Sequence, residues 1–200
     1  MKIGIGITTY GNRKTPALEM IRNYTPNAKI VTVDCKGIAK AKNMCLALLD
    51  DCDNIFLFDD DCWPIADNWY LDYITSGENH LSYTFGRKIL NQTDELKEFE
   101  LPCGCMLYIN RKCLDIVGGF DESFEGYSYE HVDYSNRVFN AGLTSARYMD
   151  VSYSHLLIHS MDEHKEITSS VSQLDRGKGI QANRPLLMKN RFSKEWKPYK

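Results

Sequence analysis

The sequence predicts an α/β domain built on a mainly parallel sheet, and three observations support this. Residues 2–9 alternate isoleucine with glycine, residues 54–58 form a short apolar run, and a helical pattern lies between them at residues 37–49. Strands that alternate with helices along a chain pair in parallel and are joined by right-handed crossovers.

The first half of the chain predicts the order strand, helix, strand, helix, strand. Two glycines in the first strand, Gly4 and Gly6, indicate that a ligand or another backbone approaches it closely. A Thr-Pro pair favours a helix over residues 15–22, and residues 29–33 form a second, β-branched strand. Residues 87–102 are polar and predict an irregular excursion over the surface.

The second half predicts, in order, a strand, two helices and a further strand, at residues 105–109, 111–117, 129–140 and 146–153. Gly142 ends the second of these helices. Residues 177–200 show no clear helical or strand period, apart from a weak one at residues 185–192.

The composition is typical of one soluble domain, with 43% hydrophobic and 26% charged residues among 200. Eight Phe, three Trp and twelve Tyr exclude a disordered chain. The longest stretch without Asp, Glu, Lys or Arg is residues 151–161, whereas a membrane-spanning helix needs about 20 apolar residues. No secretory signal follows Lys2.

The cysteines predict a reducing, cytoplasmic compartment because their number, seven, is odd. They are Cys35, Cys45, Cys52, Cys62, Cys103, Cys105 and Cys113. Cys103-Gly-Cys105 resembles a metal or redox pair, but no second pair has ligand spacing. Small buried thiols are the better interpretation.

The formal net charge of −3 is unevenly distributed. Residues 1–175 hold 26 acidic and 16 basic side chains, whereas residues 176–200 hold one acidic and eight basic. We therefore predict an acidic body and a basic C-terminal tail. The tail could fold over an anionic ligand through Arg176 and Lys178, bind an anionic membrane surface or nucleic acid, or simply be solvated.

Three consecutive carboxylates, Asp59, Asp60 and Asp61, follow the apolar run at residues 54–58. In parallel α/β sheets, ligands bind beyond the carboxyl ends of the strands. A hard divalent cation, Mg²⁺ or Mn²⁺, explains why acids that repel one another stand together there. The alternative is an acidic loop that caps a helix near Trp63.

Further motifs follow in a fixed order along the chain. They are Thr8-Thr9-Tyr10, Asp34, residues 37–43, the acidic triplet, residues 104–111, the Gly-Gly-Phe-Asp-Glu run at residues 118–122, and residues 126–137. In this order the chain resembles GT-A fold glycosyltransferases, especially family 2 and the β-1,4-galactosyltransferase-like branch, over about residues 2–166. The resemblance implies a single Rossmann-like GT-A domain at residues 1–175, with a nucleotide-sugar-binding half at 1–100 and an acceptor-binding half at 101–175.

The resemblance also implies which residues bind the donor. Thr8 and Tyr10 match positions that hold the base and ribose of the nucleotide. Asp34 matches an acid that contacts the base, although Cys35 stands where the family usually has a further acid. Lys42 sits where a basic residue meets the nucleotide or its phosphates.

Asp59 and Asp61 match the ends of a DxD motif, with Asp59 toward the ribose or metal, Asp61 as metal ligand, and Asp60 also in the nucleotide-binding set. The run that begins at His159 resembles the β-1,4-galactosyltransferase segment that starts with a metal-binding histidine. His159 is therefore expected on the cation, with His155 as its rival. An imidazole beside carboxylates favours Mn²⁺ over Mg²⁺.

The catalytic base of the family lies in a Glu-Asp pair, and here the matching pair is Glu130-His131. Either residue can take the proton of an acceptor hydroxyl. Glu130 is chemically closer to the family's carboxylate and stands slightly ahead. Asp133 is a structural or acceptor-binding acid, and the alternative is that Glu130 and Asp133 only stabilise a helix N-terminus.

The acceptor-binding residues implied by the resemblance are Asp121 and Glu122, which match family positions near the acceptor. Tyr127 would line the same pocket or belong to the core. A carboxylate in such a pocket would accept hydrogen bonds from the hydroxyls of the acceptor.

The sequence thus predicts a metal-dependent glycosyltransferase that moves a sugar from a nucleotide-diphosphate sugar, by default a UDP-sugar, to an acceptor hydroxyl with inversion. The acceptor would be a glycan, a lipid-linked molecule or another hydroxyl compound. Two alternatives remain open: a metal-dependent nucleotidyltransferase or phosphohydrolase, and a non-catalytic nucleotide-sugar- or glycan-binding module that has lost its base.

Overall fold

The computed structural model describes residues 1–11, 13–126, 128–166 and 173–200. The strands are Ile3–Thr9 (β1), Lys29–Asp34 (β2), Asn54–Asp59 (β3), Cys62–Pro64 (β4), His80–Ser82 (β5), Ile89–Gln92 (β6), Leu96–Phe99 (β7), Met106–Asn110 (β8), Met149–Val151 (β9) and Ile158–Ser160 (β10). The helices are Ala17–Tyr24 (α1), Ile38–Leu48 (α2), Trp69–Thr75 (α3), Arg111–Val117 (α4), Glu130–Asn140 (α5), Met161–His164 (α6) and Gln173–Asn190 (α7).

The central sheet has five strands in the order β2-β1-β3-β8-β5. β1 pairs in parallel with β2 and β3, as the strand–helix alternation of the first half predicts. β8 pairs antiparallel with both β3 and β5, so the sheet is mixed and its parallel part is confined to the first half. The α/β single-domain class is confirmed.

Both faces of the central sheet are buried because its strands direct apolar side chains to each side. Phe56 and Phe58 of β3 pack in one cluster with residues of α1 and α3. Ile55 and Leu57 pack in the other, with residues of α2, α4 and α5. The close approach that Gly6 predicts is made by helix α2. A Cβ at Gly6 would lie 2.7 Å from the Cβ of Cys45.

Residues 87–102 are where the sequence prediction is wrong. They contain the antiparallel hairpin β6–β7, whose second strand pairs with β9. β6 is fully exposed, so it carries no buried apolar face that would have marked it as a strand.

The C-terminal residues fold onto the body. α7 crosses the predicted boundary between residues 175 and 176, and Gly118 forms a bridge with Lys197. The division into two halves and a tail stays a prediction. In the described part of the chain no helix is both long and apolar enough to cross a membrane.

All seven cysteines are free, and four of them are buried. This fits the interpretation that they are small core thiols. The reducing compartment stays a prediction.

Candidate active site

The acidic triplet begins where β3 ends between its two neighbours. The hydroxyl of Thr8 in β1 donates to the Asp59 carboxylate at 2.9 Å, and the Asp59 backbone N–H donates to the carbonyl of Cys105 at 2.8 Å. The Asp60 backbone N–H donates to the Thr8 carbonyl at 3.1 Å. The triplet therefore occupies the carboxyl edge of the parallel strands, as its position after an apolar strand predicts.

A cavity of about 300 Å³ opens at this edge. Among the residues predicted to bind the donor, it is lined by Thr8, Tyr10, Asp59, Asp60 and Asp61. Asp162, from the segment that starts at His159, also lines it, as does Arg176 of the C-terminal residues. Lys178 instead pairs with Asp175 at 3.6 Å.

Two residues of the predicted donor set lie outside the cavity lining. Asp34 is exposed, and its carboxylate accepts from the Gly11 backbone N–H at 3.2 Å, which holds the turn after β1. Lys42 is 1% exposed and lies behind the cavity. Their contacts with a nucleotide stay predictions.

Sequence reasoning missed Arg13. Its guanidinium forms an ion pair with Asp60 and another with Asp61, the latter at 3.0 Å, and it lines the cavity. The signal was present in the sequence, since the loop after β1 must reach the end of the adjacent β3 in a parallel sheet. A basic residue in that loop is therefore placed to meet the acids.

Burial shifts the acid–base properties of the triplet. It raises the pKa of Asp59 to about 7, although the charge of Lys42 opposes this, and repulsion from Asp61 adds to it. Burial also raises the pKa of Asp61 against the effect of Arg13, and Asp162 adds to that rise. Burial disfavours the charged form of a carboxylate, and a cation bound nearby would offset that cost.

The triplet offers the donor type that a divalent cation prefers, since carboxylate oxygens suit both Mg²⁺ and Mn²⁺. The cavity lining is negative on balance, because its four acids outnumber its three bases. The acids are Asp59, Asp60, Asp61 and Asp162, and the bases are Arg13, Lys36 and Arg176.

His159, the predicted histidine ligand of the metal, makes its contacts away from the acidic triplet. The His159 Nε2 lies 2.9 Å from the Glu166 carboxylate, and the ring stacks on Trp63 and His164. Within the described ranges no group of three or more His, Cys, Asp or Glu residues is placed to hold a metal ion. His155, the alternative to His159 as the metal-binding histidine, is exposed. The metal role of His159 stays a prediction.

The two candidate bases form a chain of contacts with Lys42. The Lys42 ammonium lies 3.0 Å from the Glu130 carboxylate, and both side chains are almost fully buried. The His131 Nδ1 lies 3.2 Å from the same Glu130 oxygen. Burial would raise the pKa of Glu130, but Lys42 and His131 outweigh it, so the pKa is lowered and the carboxylate stays ionised.

His131 reaches this position because Gly104 has no side chain. A Cβ at Gly104 would lie 2.8 Å from the His131 Nδ1. Gly104 directly precedes Cys105, which lines the cavity. The imidazole therefore lies immediately behind the cavity wall, and its own side chain keeps 16% exposure.

The predicted acceptor-binding acids are engaged by the chain itself. Asp121 lies 3.2 Å from the Lys197 ammonium and accepts from the Ser123 backbone N–H, and its pKa is lowered although burial opposes this. Glu122 accepts from the Asn43 amide at 2.9 Å. Both line a second cavity of about 580 Å³, which is bordered by the C-terminal residues.

Asp133 forms a fully buried ion pair with Arg137 at 2.8 Å, and the same guanidinium donates to the Val117 and Gly119 carbonyls. Of the two roles left open for Asp133, these contacts favour the structural one. Tyr127 lies outside the described residues.

The Gly-Gly pair accepts the C-terminal segment. Gly118 has a φ of +70°, and a Cβ there would collide with the Lys197 carbonyl. The Gly119 backbone N–H donates to that carbonyl at 2.8 Å, and a Cβ at Gly119 would lie 2.5 Å from the Cβ of Tyr199. This explains why both positions are glycine.

Comparisons with known proteins agree with this architecture. A family model described as glycosyltransferase like family 2 matches residues 71–180. An uncharacterized glycosyltransferase of Acanthamoeba polyphaga mimivirus is 28% identical over 228 residues, which cover 88% of this chain and 87% of the relative.

Among solved structures, a GalNAc transferase crystallised with UDP, GalNAc and Mn²⁺ superimposes with a TM-score of 0.56 at 11% identity, over 92% of this chain and 48% of its own. A Drosophila β-1,4-galactosyltransferase variant in complex with manganese, UDP-Gal and xylobiose gives a TM-score of 0.49 at 14% identity, over 88% of this chain and 79% of its own.

The fold is that of the GT-A glycosyltransferases. Because the family model matches more than half of the chain, the chain belongs to the glycosyltransferase-like family 2. The resemblance seen in the sequence is confirmed, and the chain is a glycosyltransferase.

Proposed function

We propose that this glycosyltransferase is metal-dependent and transfers a sugar from a UDP-sugar to an acceptor hydroxyl with inversion. The observation that carries the proposal is the cavity at the carboxyl edge of β1 and β3, lined by the whole acidic triplet. Three carboxylates around one cavity, with an excess of negative charge, suit a cation that brings a diphosphate with it.

The donor side of the proposal rests on the polar groups of that cavity. Thr8 and Tyr10 offer hydroxyls, and Asp60 is held by Arg13. A structure of the same fold contains UDP and Mn²⁺, which supports a uridine nucleotide and this metal here. Asp59 and Asp61 would hold the cation. When bound, a divalent cation neutralises the diphosphate and stabilises it as a leaving group.

The contacts of the base pair favour His131 as the proton acceptor, with Glu130 as the residue that positions it. Hydrogen bonding of Nδ1 to the Glu130 carboxylate leaves Nε2 as the basic nitrogen. Glu130 itself is 3% exposed and paired with Lys42, so an acceptor hydroxyl has little access to it. Lys42 keeps Glu130 ionised, so the Glu130 carboxylate stays available to hold the His131 ring in place.

The proposed step moves one proton and one glycosyl group. The acceptor hydroxyl gives its proton to His131 Nε2 while its oxygen attacks the anomeric carbon. The bond from that carbon to the diphosphate oxygen breaks, and the electron pair leaves with the diphosphate. Attack from the face opposite the leaving group inverts the anomeric configuration.

The pH profile of transfer tests the assignment of the base. A histidine base predicts an acidic limb in kcat/KM, whereas Glu130, whose pKa is lowered by Lys42 and His131, would sustain transfer to more acidic pH. His131→Gln should lower kcat by about 100-fold and remove the acidic limb. If His131→Gln kept the wild-type rate and pH profile, His131 would not be the base, and Glu130 would be the remaining candidate.

The anomer of the product tests inversion. NMR of the product formed from a UDP-sugar should show the anomeric configuration opposite to that of the donor. A product with the donor's configuration would contradict the single displacement.

A further inference from the structure

The C-terminal part of the chain carries a surface that the proposed transfer does not use. Lys189, Arg191 and Lys194 are exposed, and none of them forms an ion pair with a carboxylate of the described residues. Met188, Phe192 and Trp196 alternate with them and are 57%, 78% and 50% exposed. These six side chains are named the basic-apolar patch.

The basic-apolar patch is a fixed surface because its backbone is tied to the body. The Asn190 amide donates to the carboxylates of Asp121 and Asp133 at 3.3 and 3.2 Å. The Asn140 amide donates to the carbonyls of Arg191 and Ser193 at 3.0 and 2.8 Å. These bonds hold the segment from one side, and the exposed patch side chains face solvent. Trp196 is half exposed, and its indole N–H donates to the Leu114 carbonyl at 3.3 Å.

We propose that the basic-apolar patch docks the enzyme on an anionic membrane surface. Aromatic and aliphatic side chains that alternate with Lys and Arg suit the lipid headgroup region, where the apolar groups enter and the cations meet phosphates. The charge distribution of the whole chain supports this orientation. Residues 1–175 carry 26 acidic against 16 basic side chains, so an anionic surface repels the body and attracts the C-terminal residues.

The apolar members of the patch distinguish a membrane from a nucleic acid as its partner. A basic surface alone would suit either. Met188 is flexible and aliphatic, and Phe192 projects with 78% exposure, which suits insertion between lipid headgroups. Binding of single strands relies on aromatic platforms along a basic groove. Neither of the two cavities described above is lined by any of the six patch side chains.

Vesicle co-sedimentation with the full chain tests the proposal. Wild-type protein should bind vesicles of phosphatidylcholine with phosphatidylglycerol and not pure phosphatidylcholine, and added salt should weaken the binding. The triple change Lys189→Gln, Arg191→Gln and Lys194→Gln should lower the affinity by about 100-fold. Phe192→Ser should lower it by about tenfold.

The control is the pair Lys88→Gln and Leu90→Ser, which removes a cation and an apolar side chain elsewhere. Lys88 directly precedes the exposed strand β6, and Leu90 lies on it. This variant should bind anionic vesicles as wild type does. Phe192 and Lys194 are exposed, so their variants should also keep the wild-type melting temperature.

Three results would overturn the proposal. They are equal binding to neutral and anionic vesicles, equal losses in the patch and control variants, and a preference for a single-stranded oligonucleotide over anionic vesicles that Phe192→Ser weakens.

Discussion

Two groups of acids that sequence motifs assign to substrate binding behave in opposite ways. The acids of the triplet at the end of β3 line an open cavity, and burial raises the pKa of Asp59 and of Asp61. The acid of the Gly-Gly-Phe-Asp-Glu run, Asp121, is met by Lys197, Ser123 and Asn190, and its pKa is lowered. Two acids of the triplet thus have raised pKa values, whereas Asp121 is already paired with side chains of the chain itself.

The comparison shows that a sequence motif predicts where acidic residues lie but not which side chains pair with them in the fold. Asp121 follows a glycine pair that is shaped to receive the C-terminal segment, and that segment brings Lys197. Among the described residues, Arg13 pairs with Asp60 and Asp61, and the charge of Lys42 acts on Asp59. The remaining negative charge is the feature that makes the triplet the better candidate for substrate.

The largest effect should come from Asp61→Asn. Removing this charge should lower the transfer rate by about 1000-fold, because the cation that neutralises the leaving diphosphate loses a ligand. A coupled assay of UDP release measures it. The same change at Asp121, Asp121→Asn, should leave donor use close to wild type. Similar losses in both variants would remove the distinction between the two groups.

Gly118→Ala should destabilise the fold by about 3 kcal/mol, because the residue has a positive φ and its Cβ would collide with the Lys197 carbonyl. Chemical denaturation measures the free energy of unfolding. Gly177→Ala is the control, since a Cβ there meets nothing within 4 Å. An unchanged stability in Gly118→Ala would mean that the C-terminal segment is not docked on this turn.

Asp59→Asn should stabilise the metal-free protein at high pH. The pKa of Asp59 is about 7 in the folded state and about 3.9 when unfolded, so the folded state binds the proton more tightly. Folding stability is therefore lost as pH rises from about 4 to 7, and an asparagine, which does not ionise, avoids this loss.

Thermal melts in chelator should show Asp59→Asn more stable than wild type at pH 8, by a margin that shrinks towards zero near pH 4. Asp121→Asn should show the opposite sign, because the pKa of Asp121 is lowered by folding. An advantage of Asp59→Asn that does not change with pH would contradict the assignment.

The smallest effect is expected at Arg13. Since its guanidinium pairs with Asp60 and Asp61, it competes with a cation for their oxygens. Arg13→Ala should raise the affinity for Mn²⁺ alone by about fivefold, measured by calorimetry. Lys14→Ala removes a charge from the adjacent exposed position and should have no such effect. Weaker Mn²⁺ binding in Arg13→Ala would show that Arg13 supports the site rather than competing for it.

The first half of the fold could be predicted because each of its elements carries its own period. The alternation of Ile3, Ile5 and Ile7 and the apolar run of β3 are local signals. The direction of β8 could not be predicted, because an apolar strand looks the same in either orientation. Most of α7 was missed, since only a weak period at residues 185–192 pointed to it, and Gly177, Gly179 and Pro185 lie within the helix.

For the candidate site, position along the chain predicted which acids meet at the edge of β3, since parallel strands end together. It did not predict the Lys42–Glu130 ion pair or the contact of Asn190 with Asp133, because these join separate helices, α2 with α5 and α7 with α5. Burial and partner charge decide whether an acid binds substrate or stabilises the fold, and both are set by tertiary packing.

Calorimetric titration of UDP, with and without Mn²⁺, into wild type, Asp61→Asn and Asp121→Asn tests the central claim most directly. We expect Mn²⁺-dependent binding of UDP to wild type and to Asp121→Asn, and its loss in Asp61→Asn. Binding that ignores Mn²⁺, or that survives Asp61→Asn unchanged, would contradict the assignment of the acidic triplet to the metal and the donor.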